Sequence, residues 1–315
     1  TAPETVVEFR EVWKKYGARD VLAGVNLDIR RGEVMCVLGP SGSGKSVTLR
    51  HINGLTKPDH GRMFVFGEDV TDYDEEKLIP IRRRLAMLFQ GGALFDSMNV
   101  EKNIAFPLEE HTEKSPIEIA EAVAEKLQMV GLAGIQKKMP AELSGGMRKR
   151  VALARSIALE PEVILYDEPT TGLDPLSSEK IAQLIVDLNV RLKTTSVVVT
   201  HDIVAARTVA DRVAFLYQGV FQFIGTFDEA ARVGAECHRP TVASSRSIPR
   251  RCPSWATSAR HPSFASGTGC QRCADEPRPR SQQDAQRWGA RGHPTADLAT
   301  CYGLSGPTAV GARRR

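Results

Sequence analysis

The stretch Gly39-Pro40-Ser41-Gly42-Ser43-Gly44-Lys45-Ser46 carries the densest chemistry in this 315-residue chain. It fits G-x-x-x-x-G-K-[ST] without a mismatch. A phosphate needs glycines that let the backbone approach, successive N–H groups turned inward, and a helix N-terminus facing the anion. Lys45 adds a mobile point charge for β- and γ-phosphates, and Ser46 a hydroxyl ligand for Mg²⁺. Further along, Val163-Ile164-Leu165-Tyr166 ends in Asp167 and Glu168. There Asp167 would hold Mg²⁺, directly or through water, and Glu168 would polarise a water for attack on a γ-phosphate. Gln90, followed by two glycines, could sense the metal or the attacking water, and alone it would be a loop glutamine. His201 follows Ser196–Thr200 and is the third polar group offered at a strand end, although a lone histidine there is usually structural.

The elements that must position these groups follow from periodicity. Glu33–Leu38 is short and apolar, as a buried parallel strand should be, and Ser46–Asn53 reads as a helix stopping at Gly54. Residues 5–12 and Val21–Ile29 read as strands, then Gly61–Gly67, then Leu85–Phe89 after polar turns and Lys77–Arg84. Residues 92–160 turn helical, with Ser115-Pro116-Ile117-Glu118 as a capping sequence before a helix closed by Gly131. Ser144 caps a further helix that stops before Pro161, and Gly145 and Gly146 leave its first-turn N–H groups open to an anion. Asp174 and Pro175 open a helix to Leu192, for which capping alone would explain Asp174. Ala214–Phe223 supplies a last paired segment around Gln218-Gly219. Tyr16 could stack on an adenine, although by sequence alone a tyrosine there is more often a buried or rim residue.

Composition is that of a globular chain, 42% apolar and 25% charged, with a net charge of +4 that hides a division. Residues 1–235 carry 29 Lys and Arg against 33 Asp and Glu; residues 236–315 carry 13 Arg against 5 acids and no Lys. Nucleic-acid affinity is not expected of the first part on charge. The tail from 236, rich in Arg, Pro, Ser and Gly and without periodicity, reads as disordered and resembles an out-of-frame or foreign extension. Its Cys270-Gln271-Arg272-Cys273 pair lacks a second paired set for zinc. Only Cys36 falls before 236, which argues for a reducing compartment. No apolar run is long enough to span a membrane, and no secretory pattern opens the chain. Because it begins at Thr1, an initiator Met, or more, is expected to precede it.

The order Tyr16, Gly39–Ser46, Gln90, Leu143–Met147, Tyr166–Glu168, Asp174, His201 resembles the ATP-binding cassette of ABC transporters across residues 1–235. The resemblance implies an α/β P-loop NTPase cassette: a mixed core sheet with flanking helices, a small antiparallel β subdomain, and a helical subdomain at about 92–160. It implies that Tyr16 stacks on adenine, that Gln90 is the Q-loop glutamine, that Leu143–Met147 is the signature, with Ser144, Gly145 and Gly146 meeting the ATP of the paired chain, that Asp174 is the D-loop acid and that His201 is the switch histidine. It implies Mg²⁺-dependent ATP hydrolysis by two cassettes paired head to tail. Phe89–Phe95, Met98-Asn99, Ala105–Leu108 with Glu110-His111-Thr112, and Ser144–Arg150 are further similar to the ATPases of Mla and Mce lipid-transport systems. That similarity implies a phospholipid or related cargo, a permease contact through Gly92–Asn99, an Mce-type partner, and a peripheral place on the cytoplasmic face of the inner membrane. Alternatives are an ABC ATPase with a different cargo and a soluble, non-transport ABC ATPase, against which the absence of a long heptad insertion argues.

Overall fold

The computed structural model describes residues 4–237, so the expectations for the tail beyond Cys237, including its cysteine pair, lie outside the described residues. Two alternating strands, β1 (Thr5–Tyr16) and β2 (Arg19–Arg30), come first. The apolar run then forms β3 (Val34–Leu38), buried at every residue, and leads through the Gly-rich loop into α1 (Lys45–Ile52). β4 (His60–Val65), β5 (Glu68–Asp69), α2 (Glu75–Arg83) and β6 (Leu85–Leu88) follow. α2 begins earlier than the expected Lys77 because Asp74 caps it, its Oδ1 accepting the Lys77 N–H at 3.0 Å. The polar run read as turn is therefore the acidic first turn of a helix.

Residues 92–160 hold α3 (Val100–His111), α4 (Pro116–Met129) and α5 (Gly145–Ser156). Ser115 and Glu118 form the expected capping box on α4. The remainder is β7 (Val163–Asp167), α6 (Pro175–Leu192), β8 (Thr195–Thr200), α7 (Ile203–Val209), β9 (Arg212–Tyr217), β10 (Val220–Gly225) and α8 (Phe227–Cys237). Gln218 (φ 50°) and Gly219 (φ 78°) make the two-residue hairpin turn between β9 and β10. α8 has no counterpart among the elements expected from periodicity. Its signal is local: the Thr226 N–H donates to Glu229 at 2.7 Å and the Glu229 N–H to Thr226 Oγ1 at 3.2 Å, a reciprocal cap.

The strands form a 4-stranded antiparallel sheet, β2-β1-β4-β5, and a 6-stranded sheet, β10-β9-β3-β8-β7-β6, parallel except for its β10 edge. Alternation along the parallel strands divides the core into two layers. Cys36, Ile164, Tyr166 and Val198 face the helical side with Ile104, Leu127 and Val151, whereas Met35, Val37, Leu165 and Val199 face the antiparallel sheet with Phe9, Leu27 and Leu49. Register then aligns the strand ends: Leu38 pairs with Thr200, Asp167 with Val199, and Leu88 with Tyr166. The loops after β3, β6, β7 and β8 consequently leave one edge of one sheet, where ligands of such sheets bind.

Candidate functional site

The loop Gly39–Ser46 crosses that edge. Gly39 has no room for a side chain, since a Cβ there would lie 2.2 Å from the Leu216 carbonyl oxygen. Gly44 caps α1 at φ 107° with no side chain to satisfy the first-turn N–H groups, which leaves them for an anion. The Ser43 hydroxyl is buried without a hydrogen-bond partner among the described residues. Around this cradle stand the Pro40, Ser41 and Gly42 backbones, with the Arg19 guanidinium donating to the Gly42 carbonyl at 2.8 Å. Lys45, only 6% exposed, donates to the Gly39 and Pro40 carbonyls at 2.9 and 3.1 Å. Burial holds its ammonium below the usual lysine range, against the pull of Glu168 and Asp167.

The end of β7 supplies both acids. Ser46 Oγ donates to Asp167 Oδ1 at 2.8 Å, across 121 residues of sequence. Glu168, one residue past β7, adopts φ 49° and its N–H donates to the Val199 carbonyl at 2.9 Å. Its carboxylate is gripped from several sides. Thr171 Oγ1 donates to Oε2 at 2.9 Å, His201 Nδ1 lies 2.8 Å from the same oxygen, and Lys45 Nζ stands 3.7 Å from Oε1. An ionised Glu168 therefore requires the hydrogen of the imidazole on Nδ1.

Lys149 is a site residue that sequence reasoning missed. It sits on α5 and is 7% exposed, its Nζ donating to the Gln90 carbonyl in a short contact and to the Glu168 carbonyl at 3.5 Å. Burial lowers its pKa while Asp167 and Glu168 raise it. Its only signal was a lysine within Ser-Gly-Gly-Met-Arg-Lys-Arg, which on a helix reads as a solvated charge. Thr171 was missed too, because a threonine just before Gly172 carries no spacing signal of its own.

Other expected residues stay apart. Gln90 is exposed in the turn after β6, and its side-chain amide makes no hydrogen bond among the described residues. Tyr16 ends β1 half exposed, with the Lys14 ammonium 5.8 Å from its ring centroid, so it is a rim tyrosine. Ser144 caps α5, its Oγ accepting the Met147 N–H at 3.2 Å, so only the N–H groups of Gly145 and Gly146 remain before it. These glycines lie against Leu173 and Ser177 of the following helix start, and no hydrogen bond or ion pair among the described residues joins Ser144–Gly146 to Gly39–Ser46. Asp174 caps α6 through the Ser177 N–H at 3.0 Å, and the Ser177 side chain together with that N–H holds its carboxyl below the usual range.

Beside Gln90 lies an apolar groove of about 460 Å³, walled by Phe89, Ala93, Phe95, Phe106, Pro107 and Arg155. Phe95 and Phe106 meet edge to face at 5.1 Å. Within Gly92–Asn99, Ala93 and Phe95 are exposed, but Leu94 packs on the helical core. Ala93 takes φ 49°, turning the chain so that its neighbour points inward. The fully buried Asn103 fixes the loop by accepting the Phe95 N–H at 2.8 Å and donating to the Phe95, Met98 and Asn99 carbonyls.

The chain is similar to known proteins. The family profile described as ABC transporter matches residues 22–171. The chain is 47% identical over 212 residues to the probable ribonucleotide transport ATP-binding protein mkl of Mycobacterium leprae, covering 67% of this chain and 61% of that one. It is 44% identical over 206 residues to the intermembrane phospholipid transport system ATP-binding protein MlaF of Escherichia coli K12, covering 65% of this chain and 77% of that one. Among solved structures it is similar to the ATP-binding cassette MJ0796, determined as a dimer in a post-hydrolysis state bound to ADP and Pi. That likeness has a TM-score of 0.65 and 36% identity over 70% of this chain and 98% of that one. The chain thus spans about 61% of the length of the mycobacterial relative.

Proposed function

The chain belongs to the ABC transporter family of ATP-binding proteins, and on that premise we propose that it is the ATP-hydrolysing, energy-coupling subunit of a transport complex. The observation that carries this reading is Glu168, held by Thr171, His201 and Lys45 beside the Ser46–Asp167 pair and the loop Gly39–Ser46. ATP lies with its phosphates on that loop, and Lys45 exchanges its carbonyl partners for β- and γ-phosphate oxygens. A water oxygen held by Glu168 bonds to the γ-phosphorus while the bond from that phosphorus to the β–γ bridging oxygen breaks. The proton of the water moves toward the Glu168 carboxylate, and ADP and phosphate leave. Ser46 and Asp167 offer the hard oxygens that Mg²⁺ takes, with Gln90 as a further candidate; among the described residues no three acidic, His or Cys side chains form a closed metal site. That fits an ion held by few protein ligands and by phosphate oxygens. When bound, Mg²⁺ neutralises phosphate charge.

Two copies complete the site. Ser144–Gly146 of one chain closes over Gly39–Ser46 of the other, Tyr16 stacks on the adenine, and Asp174 lies at the junction. Support comes from the separation of the two motifs within one chain and from the dimeric form of MJ0796. The Phe89–Phe95–Phe106 groove, continuous with Gly92–Asn99, receives an integral-membrane permease, since such an apolar surface is costly in water. We place the subunit on the cytoplasmic face of the inner membrane; no helix among the described residues is long and apolar enough to cross one. Residues 1–235 form the cassette and 92–160 its helical subdomain. The cargo we assign is a phospholipid or related lipid, with an Mce-type protein in the complex and no nucleic acid, on the likeness to MlaF. The name of mkl favours a ribonucleotide as the second reading.

The test is purification of the full chain from solubilised membranes with the proteins and lipids it carries. Phosphate release from ATP, an integral-membrane partner and stimulation by phospholipid are expected. Stimulation by ribonucleotides instead would favour the second cargo, and absence of ATP hydrolysis by the intact complex would overturn the assignment.

A further inference from the structure

Glu168 holds its carboxylate in place with a backbone that side-chain-bearing residues seldom adopt, φ 49°. Such a conformation persists where its peptide groups are fixed from outside. The N–H is fixed by the Val199 carbonyl at 2.9 Å. The carbonyl faces Lys149 Nζ at 3.5 Å, and the same ammonium takes the Gln90 carbonyl in a shorter contact. One buried cation thus ties the loop after β6 to the loop after β7. It is carried by α5, which also grips the first of these loops lower down: Arg155 donates to the Gly92 carbonyl at 3.1 Å, and Ala152 stands 3.3 Å from where a Gly92 Cβ would lie. Arg155 in turn lies over the Phe95 ring, its guanidinium 5.5 Å from the centroid. An unbroken set of contacts runs from the apolar groove through α5 to the main chain of Glu168.

We propose that Lys149 is a positioning residue for hydrolysis, its ammonium holding the Gln90 and Glu168 carbonyls together so that α5 sets the place of the Glu168 carboxylate relative to the phosphate loop. The inference rests on the reading of Glu168 as the group that orients the attacking water. In this role Lys149 acts through the two carbonyls it holds, those of Gln90 and Glu168. A charged donor suits the task because a carbonyl pair sharing one buried donor is held more firmly by an ammonium than by a neutral group.

The experiment uses the full chain in its purified membrane complex, with steady-state and single-turnover phosphate release and ATP affinity measured for K149M, K149R, E168Q and the double variant. Lys149→Met should lower kcat by about 10- to 30-fold with the KM for ATP within about threefold, and Lys149→Arg should recover most of the loss. In the Glu168→Gln background, Lys149→Met should cost less than about twofold more, because a residue acting through Glu168 has nothing left to position. Should K149M fail to fold, K149Q takes its place and must show the same non-additivity. An unchanged kcat in K149M, an arginine variant as slow as the methionine one, or an equal fractional loss in both backgrounds would overturn the proposal. Wild-type turnover in E168Q alone would instead overturn the assignment of Glu168.

Discussion

His201 Nδ1 lies 2.8 Å from Glu168 Oε2, although 33 residues separate them and they belong to adjacent parallel strands' exit loops. The pairing orients the carboxylate while Thr171 occupies a second acceptor direction of the same oxygen. Glu168→Gln should therefore keep ATP binding and slow phosphate release at least about a hundredfold, and His201→Ala should slow it about tenfold or more with KM little changed. Trapped-nucleotide and phosphate-release assays on the same preparations separate binding from turnover. Near-normal release by the glutamine variant would remove Glu168 from the chemistry.

Gly44 should tolerate no side chain. At φ 107°, with the Val21 carbonyl oxygen 2.8 Å from where a Cβ would lie, alanine clashes with backbone that has nowhere to go. Gly44→Ala should cost about 2–3 kcal/mol and weaken ATP binding. Gly67→Ala, at φ 81° with nothing within 4 Å, should cost only about 1 kcal/mol. Equal midpoints for the two variants in a thermal melt would contradict this.

Phe95→Asp places a charge in the groove beside Phe106 and against the Arg155 guanidinium. The subunit should leave the membrane fraction while its ATP affinity stays within about threefold, because the substitution lies outside the phosphate loop. Undiminished co-sedimentation with membranes would argue that the permease sits elsewhere.

Glu162 joins two elements at the opposite edge of the sheet, accepting from Arg84 Nε at 2.5 Å and Arg31 Nη1 at 2.8 Å. The hydrogen bond from Arg84, opposed by burial and aided by Arg31, holds its carboxyl below the usual range. A depressed carboxylate contributes stability above its unfolded pKa and loses it as pH falls through the folded one. Glu162→Gln should thus lower the thermal midpoint by about 1–3 °C at pH 7, a modest shift because the pair is partly exposed. The difference should shrink as pH falls below about 4, the ordinary range for a carboxylate. A gap between variant and parent that stays constant down to pH 3 would contradict the assignment.

Much of this molecule is local, and local features are legible. The loop Gly39–Ser46, the apolar strand before it, the capping box at Ser115 and Glu118, and the acids that end β7 each announce themselves within a few residues, because spacing and turn chemistry act over one turn or one strand. The sequence by itself therefore determined which groups stand at the ends of β3, β7 and β8 and that Ser115, Ser144 and Asp174 cap their helices. It could not show that Lys149 is buried, since a lysine on a helix start looks solvated until the helix is packed. Nor could it show that Leu94 turns inward between exposed Ala93 and Phe95, which a single left-handed residue decides. Tertiary structure alone brought Ser46 to Asp167 and Glu168 to Lys45, Thr171, His201 and Lys149. The physical reason is register: hydrogen bonding between parallel strands fixes which residues from distant parts of the chain leave the sheet side by side, and no periodicity within one strand encodes its neighbour.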